Sequence, residues 1–286
     1  MRINHNISSM TARGSLNKTS KSLSESLEKL STGLRINSAS DAPAGLGISE
    51  NLRTQINGVS QAQKNAQDGI SALNIAEGAT NEISSILQRM RELSIQSAND
   101  TLTSTERGYT NSEFTSLRSE IDRISAATTY NGMGLISSGA NRFGTVNATS
   151  GNVLWIDANS SVGVDSITIS LNTVTSASIS SVSFATRTIS SQSGAKAAIS
   201  EVDLAIGSIN TIRSDIGAYI NRLEHAVNNL NVSETNQTAA ESLIRDVDFA
   251  EETSNFTKNQ ILLKSSTAML AQSNLLPKSI LTLMKK

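Results

Sequence analysis

Cysteine is absent from this 286-residue chain, and proline, histidine and aromatic residues are scarce. The lack of cysteine excludes disulfides, thiolate metal sites and cysteine nucleophiles. Only two histidines occur, His5 near the start and His225 beside an apolar helical pattern, and neither indicates proton-transfer chemistry. Aromatic residues make up 3% of the chain. The buried area must therefore come from aliphatic side chains, as it does where helices pack together.

An excess of charge of one sign and long apolar runs are also missing. The formal net charge is −1, which predicts no nucleic-acid partner and no binding to an anionic membrane. No run approaches the roughly 18 apolar residues that span a bilayer, and the N-terminus lacks the pattern of a cleaved secretory signal. The sequence contains no nucleotide-binding, serine-hydrolase, zinc-protease or calcium-loop motif. We therefore expect no enzyme activity, no cofactor and no metal.

The first part of the chain has helical periodicity. A leucine stripe begins it, made of Leu16, Leu23, Leu27, Leu30 and Leu34. A second pattern over 44–99 predicts a helix about 80 Å long, with Ser40 or Asp41 as its N-cap and Pro43 in its first turn. Asn99-Asp100-Thr101 should end it, and a shorter helix is predicted over 104–128.

The middle of the chain, 137–193, is rich in Ser, Thr, Asn and Gly. The apolar run 153–156 and the alternating run 166–171 predict two strands joined in a hairpin. A weaker alternation over 178–184 indicates a further strand.

The last part of the chain is helical and more strictly periodic. Apolar residues recur at alternating steps of four and three, which is a heptad seam: Ala198, Val202, Ala205, Ile209, Ile212, Ile216, Tyr219, Leu223, Ala226 and Leu230. The polar segment 231–237 should interrupt this helix, and a further helical pattern covers 238–276.

These patterns predict a mainly α fold in which both termini form long antiparallel helical rods or coiled coils around a small β-hairpin region. We expect an inner terminal coiled-coil domain made of 1–40 and 241–286, and an outer helical rod domain made of 41–136 and 194–240. The region 137–193 should be a short variable surface region. Within the rod, Ile209, Ile212, Ile216, Tyr219 and Leu223 are the predicted core seam. The terminal helices lie beyond any compact centre, and their apolar seams should pack on other copies.

Five segments resemble the signatures of bacterial flagellins. They are LSTGLRINSASDAPAGL at 30–46, LQRMRELSIQS at 87–97, EIDRI with YNG over 120–132, LIRDVDFAEE at 243–252, and AQSN at 271–274 followed by Pro277. The resemblance covers both ends, about 1–135 and 195–286, in the family's order. The middle is the family's variable part, and its shortness here implies that large outer domains are absent.

The resemblance implies a subunit of the extracellular flagellar filament that is used for motility. It implies export by the flagellar type III apparatus, and terminal helices that fold on assembly. The predicted self-assembly residues are Leu23, Leu27, Leu30, Leu34, Leu243, Val247, Phe256, Ile261, Leu270 and Leu281. Implied partners are other copies of the chain, an export chaperone on the C-terminal helices, the hook–filament junction and filament cap proteins, and a host Toll-like receptor. The receptor-recognition residues carried over from the family are Arg89, Leu93 and Glu113.

Two other interpretations fit part of the pattern. A hook–filament junction protein shares these end signatures more weakly, and it would be present in few copies per filament. A secreted binding or signalling module would remain a monomer even when filament seeds are present.

Overall fold

The computed structural model describes residues 6–137, 143, 153–157, 166–179 and 184–284. Its helices are α1 (Ile7–Thr32), α2 (Pro43–Ala98), α3 (Ser104–Ala127), α4 (Ser176–Ile179), α5 (Gln192–Arg245) and α6 (Phe249–Met284). Four short strands, β1 (Thr129–Tyr130), β2 (Met133–Gly134), β3 (Val153–Trp155) and β4 (Ser166–Thr168), and a 3₁₀ turn at Phe184–Thr186 complete the described elements. The predicted mainly α fold is confirmed.

The chain divides into two compact units. The terminal unit contains Met1–Thr54 and Asn236–Lys286, and the central unit contains Gln55–Thr235. Both α2 and α5 begin in one unit and end in the other, so the division falls within helices. The sequence-based boundaries at 40/41 and 240/241 lie on the terminal side of this division.

In the central unit, α2 packs antiparallel to α5. Arg213 of α5 pairs with Glu77 of α2 at 2.9 Å, and Asp203, earlier in α5, pairs with Arg91, later in α2, at 2.6 Å. Helix α3 also runs antiparallel to α2. The three helices share one core, whose fully buried side chains include Leu73, Ile83, Leu87, Met90, Phe114, Ile121, Ile209, Ile216 and Leu223.

The C-terminus of α2 is held by two side chains from elsewhere in the central unit. Arg107 of α3 donates from Nε to the Ser97 carbonyl at 3.0 Å and from Nη2 to the Asn99 carbonyl at 2.9 Å. Gln192 donates to the intervening Ala98 carbonyl at 3.2 Å. These bonds satisfy carbonyls that a helix end leaves without intrahelical partners. They place the starts of α3 and α5 against the end of α2.

Two small antiparallel strand pairs belong to the central unit. Strands β1 and β2 pair across Asn131-Gly132, where both residues have positive φ, 50° and 77°. A two-residue turn of this kind favours Asn-Gly. Strands β3 and β4 pair antiparallel with Leu154 opposite Ile167. This pairing confirms the predicted strands, although β4 ends at Thr168 rather than at 171. Most of the segment that joins them lies outside the described residues.

The predicted strand over 178–184 is wrong in its described part, because Ser176–Ile179 is helical and Phe184 begins the 3₁₀ turn. Asp122 of α3 explains the helical start: its carboxylate accepts hydrogen bonds from the backbone N–H and the hydroxyl of Ser176, both at 2.8 Å. Residues 180–183 lie outside the described part of the chain.

The predicted position of the break between the two C-terminal helices is also wrong. Helix α5 continues through the polar segment 231–237 and ends at Arg245. That segment contains neither Gly nor Pro, so polarity alone does not stop the helix. The break falls at 246–248, where the Asp248 carboxylate accepts hydrogen bonds from the N–H groups of Ala250 and Glu251 at 2.8 and 3.2 Å. Asp248 therefore begins α6 as its N-cap.

The expected capping role of Asp41 is also wrong. Its carboxylate turns back to accept hydrogen bonds from the N–H groups of Asn37 and Ser38 at 3.1 and 2.9 Å. These bonds lower the pKa of the Asp41 carboxyl. Asp41 thus closes the loop before α2, and Pro43 is the first residue of the helix.

Candidate assembly surfaces

Helices α1 and α6 form an antiparallel pair in the terminal unit. At one end of the pair, the Asn6 side chain donates to the Ser273 carbonyl at 2.9 Å, and the Ser9 hydroxyl donates to the Asn274 side chain at 2.7 Å. At the other end, the Val247 N–H donates to the Gly33 carbonyl at 3.0 Å. The register of the pair is thus fixed at both ends.

The predicted self-assembly residues divide into two groups by exposure. Half-buried in the terminal unit are Leu23, Leu30, Leu34, Val247, Phe256 and Leu270. Exposed are Leu27 at 56%, Leu243 at 82% and Ile261 at 62%. Leu281 belongs to α6, and its side chain lies outside the described part of the chain. The exposed group is available to other molecules.

Helix α6 carries apolar side chains on opposite sides. Leu270 is half-buried, whereas Ile261, nine residues earlier, is 62% exposed. Nine residues are about two and a half helical turns, so the two side chains point in opposite directions. Further exposed apolar residues of α6 are Phe249, Leu262, Met269 and Leu275. A helix that is apolar on several sides is typically buried on several sides, and α1 alone can cover only one of them.

The terminal unit has almost no hydrophobic core of its own. Ile36 is the only hydrophobic side chain that is buried among its described residues, whereas the central unit contains the remaining buried hydrophobic residues of the described chain. Polar groups occupy several of the other buried positions of the terminal unit, including Ser26, Ser49 and Ser273. The α1–α6 pair therefore buries little apolar area.

Around Ile36, three segments of the terminal unit cross at a junction, which we define as 33–36, 45–50 and 243–247. Gly33 ends α1 in the left-handed conformation, with φ of 74°. Leu34 forms a β-bridge with Asp246. The Arg35 guanidinium donates to the carbonyls of Leu243 and Ile244 at 3.3 and 2.7 Å. Arg35 thereby caps the C-terminus of α5 and links it to the end of α1.

An ion pair adds the start of α2 to this junction. Arg245, with 13% of its side chain exposed, donates to the Glu50 carboxylate at 2.8 Å. Arg53 also pairs with Glu50, at 3.0 Å. The hydrogen bond from Arg245, together with the nearby positive charge of Arg53, lowers the pKa of the Glu50 carboxyl below its ordinary value of 4.5.

The junction should weaken in acid. Because the pKa of Glu50 is lowered by folding, its contribution to stability is present above the ordinary value of 4.5 and is lost as pH falls through the lower folded pKa. We expect Glu50→Gln to lower the melting temperature at neutral pH and to reduce its acid dependence. Thermal unfolding, followed by circular dichroism from neutral pH down to about pH 3, measures both effects. Arg53→Gln is the matched control, because it leaves the Arg245 bond in place and should change the profile less. An unchanged profile in Glu50→Gln would contradict the assignment.

In the central unit, the heptad residues proposed as the seam face the core. Ile209, Ile216 and Leu223 are fully buried, Ile212 is 4% exposed, and Tyr219 packs half-buried against them. His225 is exposed on the same helix, and His5 lies outside the described residues.

The three proposed receptor-recognition residues lie together where α2 meets α3. Arg89 donates to the Glu113 carboxylate at 3.0 Å and to Glu92 at 3.0 Å. These carboxylates raise the pKa of the Arg89 guanidinium. Leu93 is 1% exposed and belongs to the core. A protein that binds this face can therefore contact Arg89 and Glu113 directly. Leu93 is not accessible to it, because its side chain packs in the core.

Within the described ranges, no group of three or more potential metal-ligating side chains occurs. Among the described helices, none combines the length and the apolar character that spanning a bilayer requires.

Comparison with known proteins agrees with this architecture. The family model of the bacterial flagellin N-terminal helical region matches residues 3–141, and that of the C-terminal helical region matches 199–284. The flagellar filament 33 kDa core protein of Treponema phagedenis is 43% identical over 290 residues and covers all of both chains. The flagellin of Bacillus subtilis (strain 168) is 42% identical over 310 residues, again covering all of both chains.

A solved structure, that of a putative flagellar hook-associated protein from Vibrio parahaemolyticus, is similar with a TM-score of 0.55. It is 18% identical and covers 72% of this chain and 99% of that chain, so the likeness concerns the fold alone. The family assignment rests instead on the two family models and the full-length relatives. The chain belongs to the bacterial flagellin family.

Proposed function

We propose that this chain is a structural subunit of the flagellar filament, in which α1 and α6 acquire stable structure when they pack on other copies. The observation that carries the proposal is the exposed apolar surface of the terminal unit. Its two helices expose Ile7, Met10, Leu27, Phe249, Ile261, Leu262, Met269 and Leu275. A full-length relative named as a flagellar filament core protein supports the same assembly for this chain.

The energetics favour folding that is coupled to assembly. Ordering a residue costs about 1–2 kcal/mol of backbone entropy, and isolated helices are marginal in water because nucleation is unfavourable. Burying one Leu, Ile, Phe or Met side chain contributes about 1.5–3 kcal/mol of favourable free energy. A free α1–α6 pair leaves eight such side chains exposed, and a neighbouring copy supplies the missing burial.

Hydrogen exchange on free subunits and on assembled filaments tests this proposal. In the free subunit, the amides of α1 and α6 should exchange quickly and those of the central unit slowly, because local opening is easiest where little apolar area is buried. In the filament, α1 and α6 should become protected. The central unit serves as the internal control, since its core should protect it in both states. Equal protection of α1 and α6 in both states would contradict coupled folding.

Export and partner binding follow as further parts of the proposal. The chain would leave the cell through the flagellar type III apparatus before its terminal helices acquire stable structure. An export chaperone would cover the apolar surface of α6 during that stage, and the hook–filament junction and filament cap proteins would meet the same terminal unit. The assembled protein would then be extracellular and serve motility.

Recognition by a host Toll-like receptor is a second proposed function, supported by the exposed Arg89–Glu113 pair. We expect Arg89→Ala to reduce receptor activation about tenfold, because arginine is enriched among the interface residues whose truncation weakens binding most. A reporter assay in cells that carry the receptor measures the change. Arg91→Ala is the matched control, because Arg91 is an exposed arginine of the same helix that pairs instead with Asp203. An equal loss in both variants would indicate general destabilisation, and no loss in Arg89→Ala would contradict the proposal.

A further inference from the structure

We propose that Asn131 is a site of spontaneous deamidation, and that the fold directs this reaction to one of the chain's two Asn-Gly dipeptides. The dipeptides are Asn57-Gly58 and Asn131-Gly132. They have the same local sequence but lie in different structures: the first is inside α2, and the second forms the turn between β1 and β2. Glycine after asparagine removes the side chain that would hinder attack by the following backbone nitrogen.

The reaction at Asn131 needs no cofactor. The Gly132 backbone nitrogen, after loss of its proton to solvent base, attacks the side-chain amide carbon of Asn131. A nitrogen–carbon bond forms, the side-chain carbon–nitrogen bond breaks, and ammonia leaves to give a cyclic succinimide. Water then opens the ring at either carbonyl and produces aspartate or isoaspartate. The only reactants are the dipeptide and water, and no oxidation occurs.

The hairpin leaves both reacting groups accessible. Asn131 and Gly132 are exposed, and a Cβ added at Gly132 would meet no atom within 4 Å. The backbone hydrogen bonds beside the turn join Leu135 to Thr128 and Phe143 to Gly134. Among the described residues, none of the hydrogen bonds uses the Gly132 N–H or the Asn131 side-chain amide. Solvent base can therefore reach the Gly132 nitrogen in the folded chain.

Helix α2 gives the other dipeptide the opposite environment. Residues 57 and 58 lie well inside Pro43–Ala98, so the Gly58 N–H donates to the carbonyl four residues earlier. Loss of that proton requires local opening of the helix, as amide exchange does. Asn57 is exposed, so accessibility of the side chain alone does not distinguish the two sites. The two sites differ in whether the N–H of the following glycine is hydrogen-bonded.

Isoaspartate at position 131 would disturb the hairpin. It adds one carbon to the main chain within a two-residue turn whose register pairs Tyr130 with Met133 and Thr129 with Gly134. The residues that follow, Leu135 and Ile136, are fully buried. If the pairing of β1 with β2 shifts, the packing of Leu135 and Ile136 is strained, because strand register decides which way each side chain points. The modified central unit should therefore unfold at a lower temperature.

Incubation of the full-length free subunit at mildly alkaline pH and physiological temperature tests the proposal. Peptide mapping by mass spectrometry quantifies conversion at each site, and labelling by an isoaspartyl methyltransferase reports isoaspartate. A parallel sample in strong denaturant gives the intrinsic rates. We expect similar conversion of both sites in denaturant, and at least about tenfold more conversion at Asn131 than at Asn57 in the folded chain.

Asn131→Gly is the matched variant, since Gly-Gly also suits a turn with two positive φ angles. It should abolish labelling at this turn and should prevent the fall in melting temperature that ageing causes in the unsubstituted chain. Equal conversion of the two sites in the folded chain would overturn the proposal. So would an Asn131 that reacts in denaturant but remains intact when folded, because the hairpin would then protect it.

Discussion

A chain that begins at Gln55 and ends at Thr235 should remain folded, soluble and monomeric, and should form no filaments. It keeps the central unit and every hydrophobic residue that is buried in the described structure except Ile36. It loses α1, α6 and the junction, and with them most of the exposed apolar surface that we propose joins the copies. Assembly should therefore fall below detection, although the cut ends of α2 and α5 should fray by about a turn.

Sedimentation and electron microscopy, with and without filament seeds, measure this outcome, and circular dichroism reports the retained helix. The full-length chain under the same conditions is the positive control. A second truncation that removes only 1–32 tests the contribution of α1. It should also fail to assemble, because α6 then loses the helix that packs against its half-buried side. Filaments grown by the 55–235 chain would refute the role of the terminal unit. An unfolded 55–235 chain would show that the central core depends on the terminal helices.

Periodicity was sufficient to predict the long helices. Ile209, Ile216 and Leu223 recur at heptad spacing and are buried, because an apolar stripe along a helix has to face another helix. Asn99-Asp100-Thr101 stopped α2 as predicted, with α2 ending at Ala98. The buried heptad residues and the end of α2 both depend on residues that are close together in the sequence. One amino-acid sequence is therefore enough to predict them.

Contacts between distant segments could not be predicted in this way. The α5–α6 break depends on Asp248 as a cap and on the bridge between Leu34 and Asp246. The composition of the sequence instead predicted a break at the earlier polar segment 231–237. Arg35 is one charged residue among many in the sequence, and only the fold brings its guanidinium to the carbonyls of Leu243 and Ile244. The sequence indicated a self-assembly surface, but exposure was needed to separate Ile261 from the half-buried Leu270.

Replacement of Phe114 by alanine should be among the most destabilising single changes in the central unit. Phe114 is fully buried in the core shared by α2, α3 and α5, in a chain with few aromatic residues to fill space. Its truncation removes the transfer free energy of the ring and leaves a cavity, which together cost about 3–5 kcal/mol. Urea denaturation of the free subunit, followed by circular dichroism and by the fluorescence of the single Trp155, measures the loss.

Tyr109→Ala provides the matched control, because it truncates another aromatic side chain of α3, one that is 71% exposed. Its stability should change by no more than about 0.5 kcal/mol. Phe114→Leu, which keeps most of the apolar volume, should fall between the two. The order Phe114→Ala, Phe114→Leu, Tyr109→Ala tests whether α3 is held by core packing. Similar losses in the two alanine variants would show instead that α3 is stabilised by its helical backbone and its contacts at the surface. In that case the Phe114 site would collapse around the smaller side chain rather than keep a cavity.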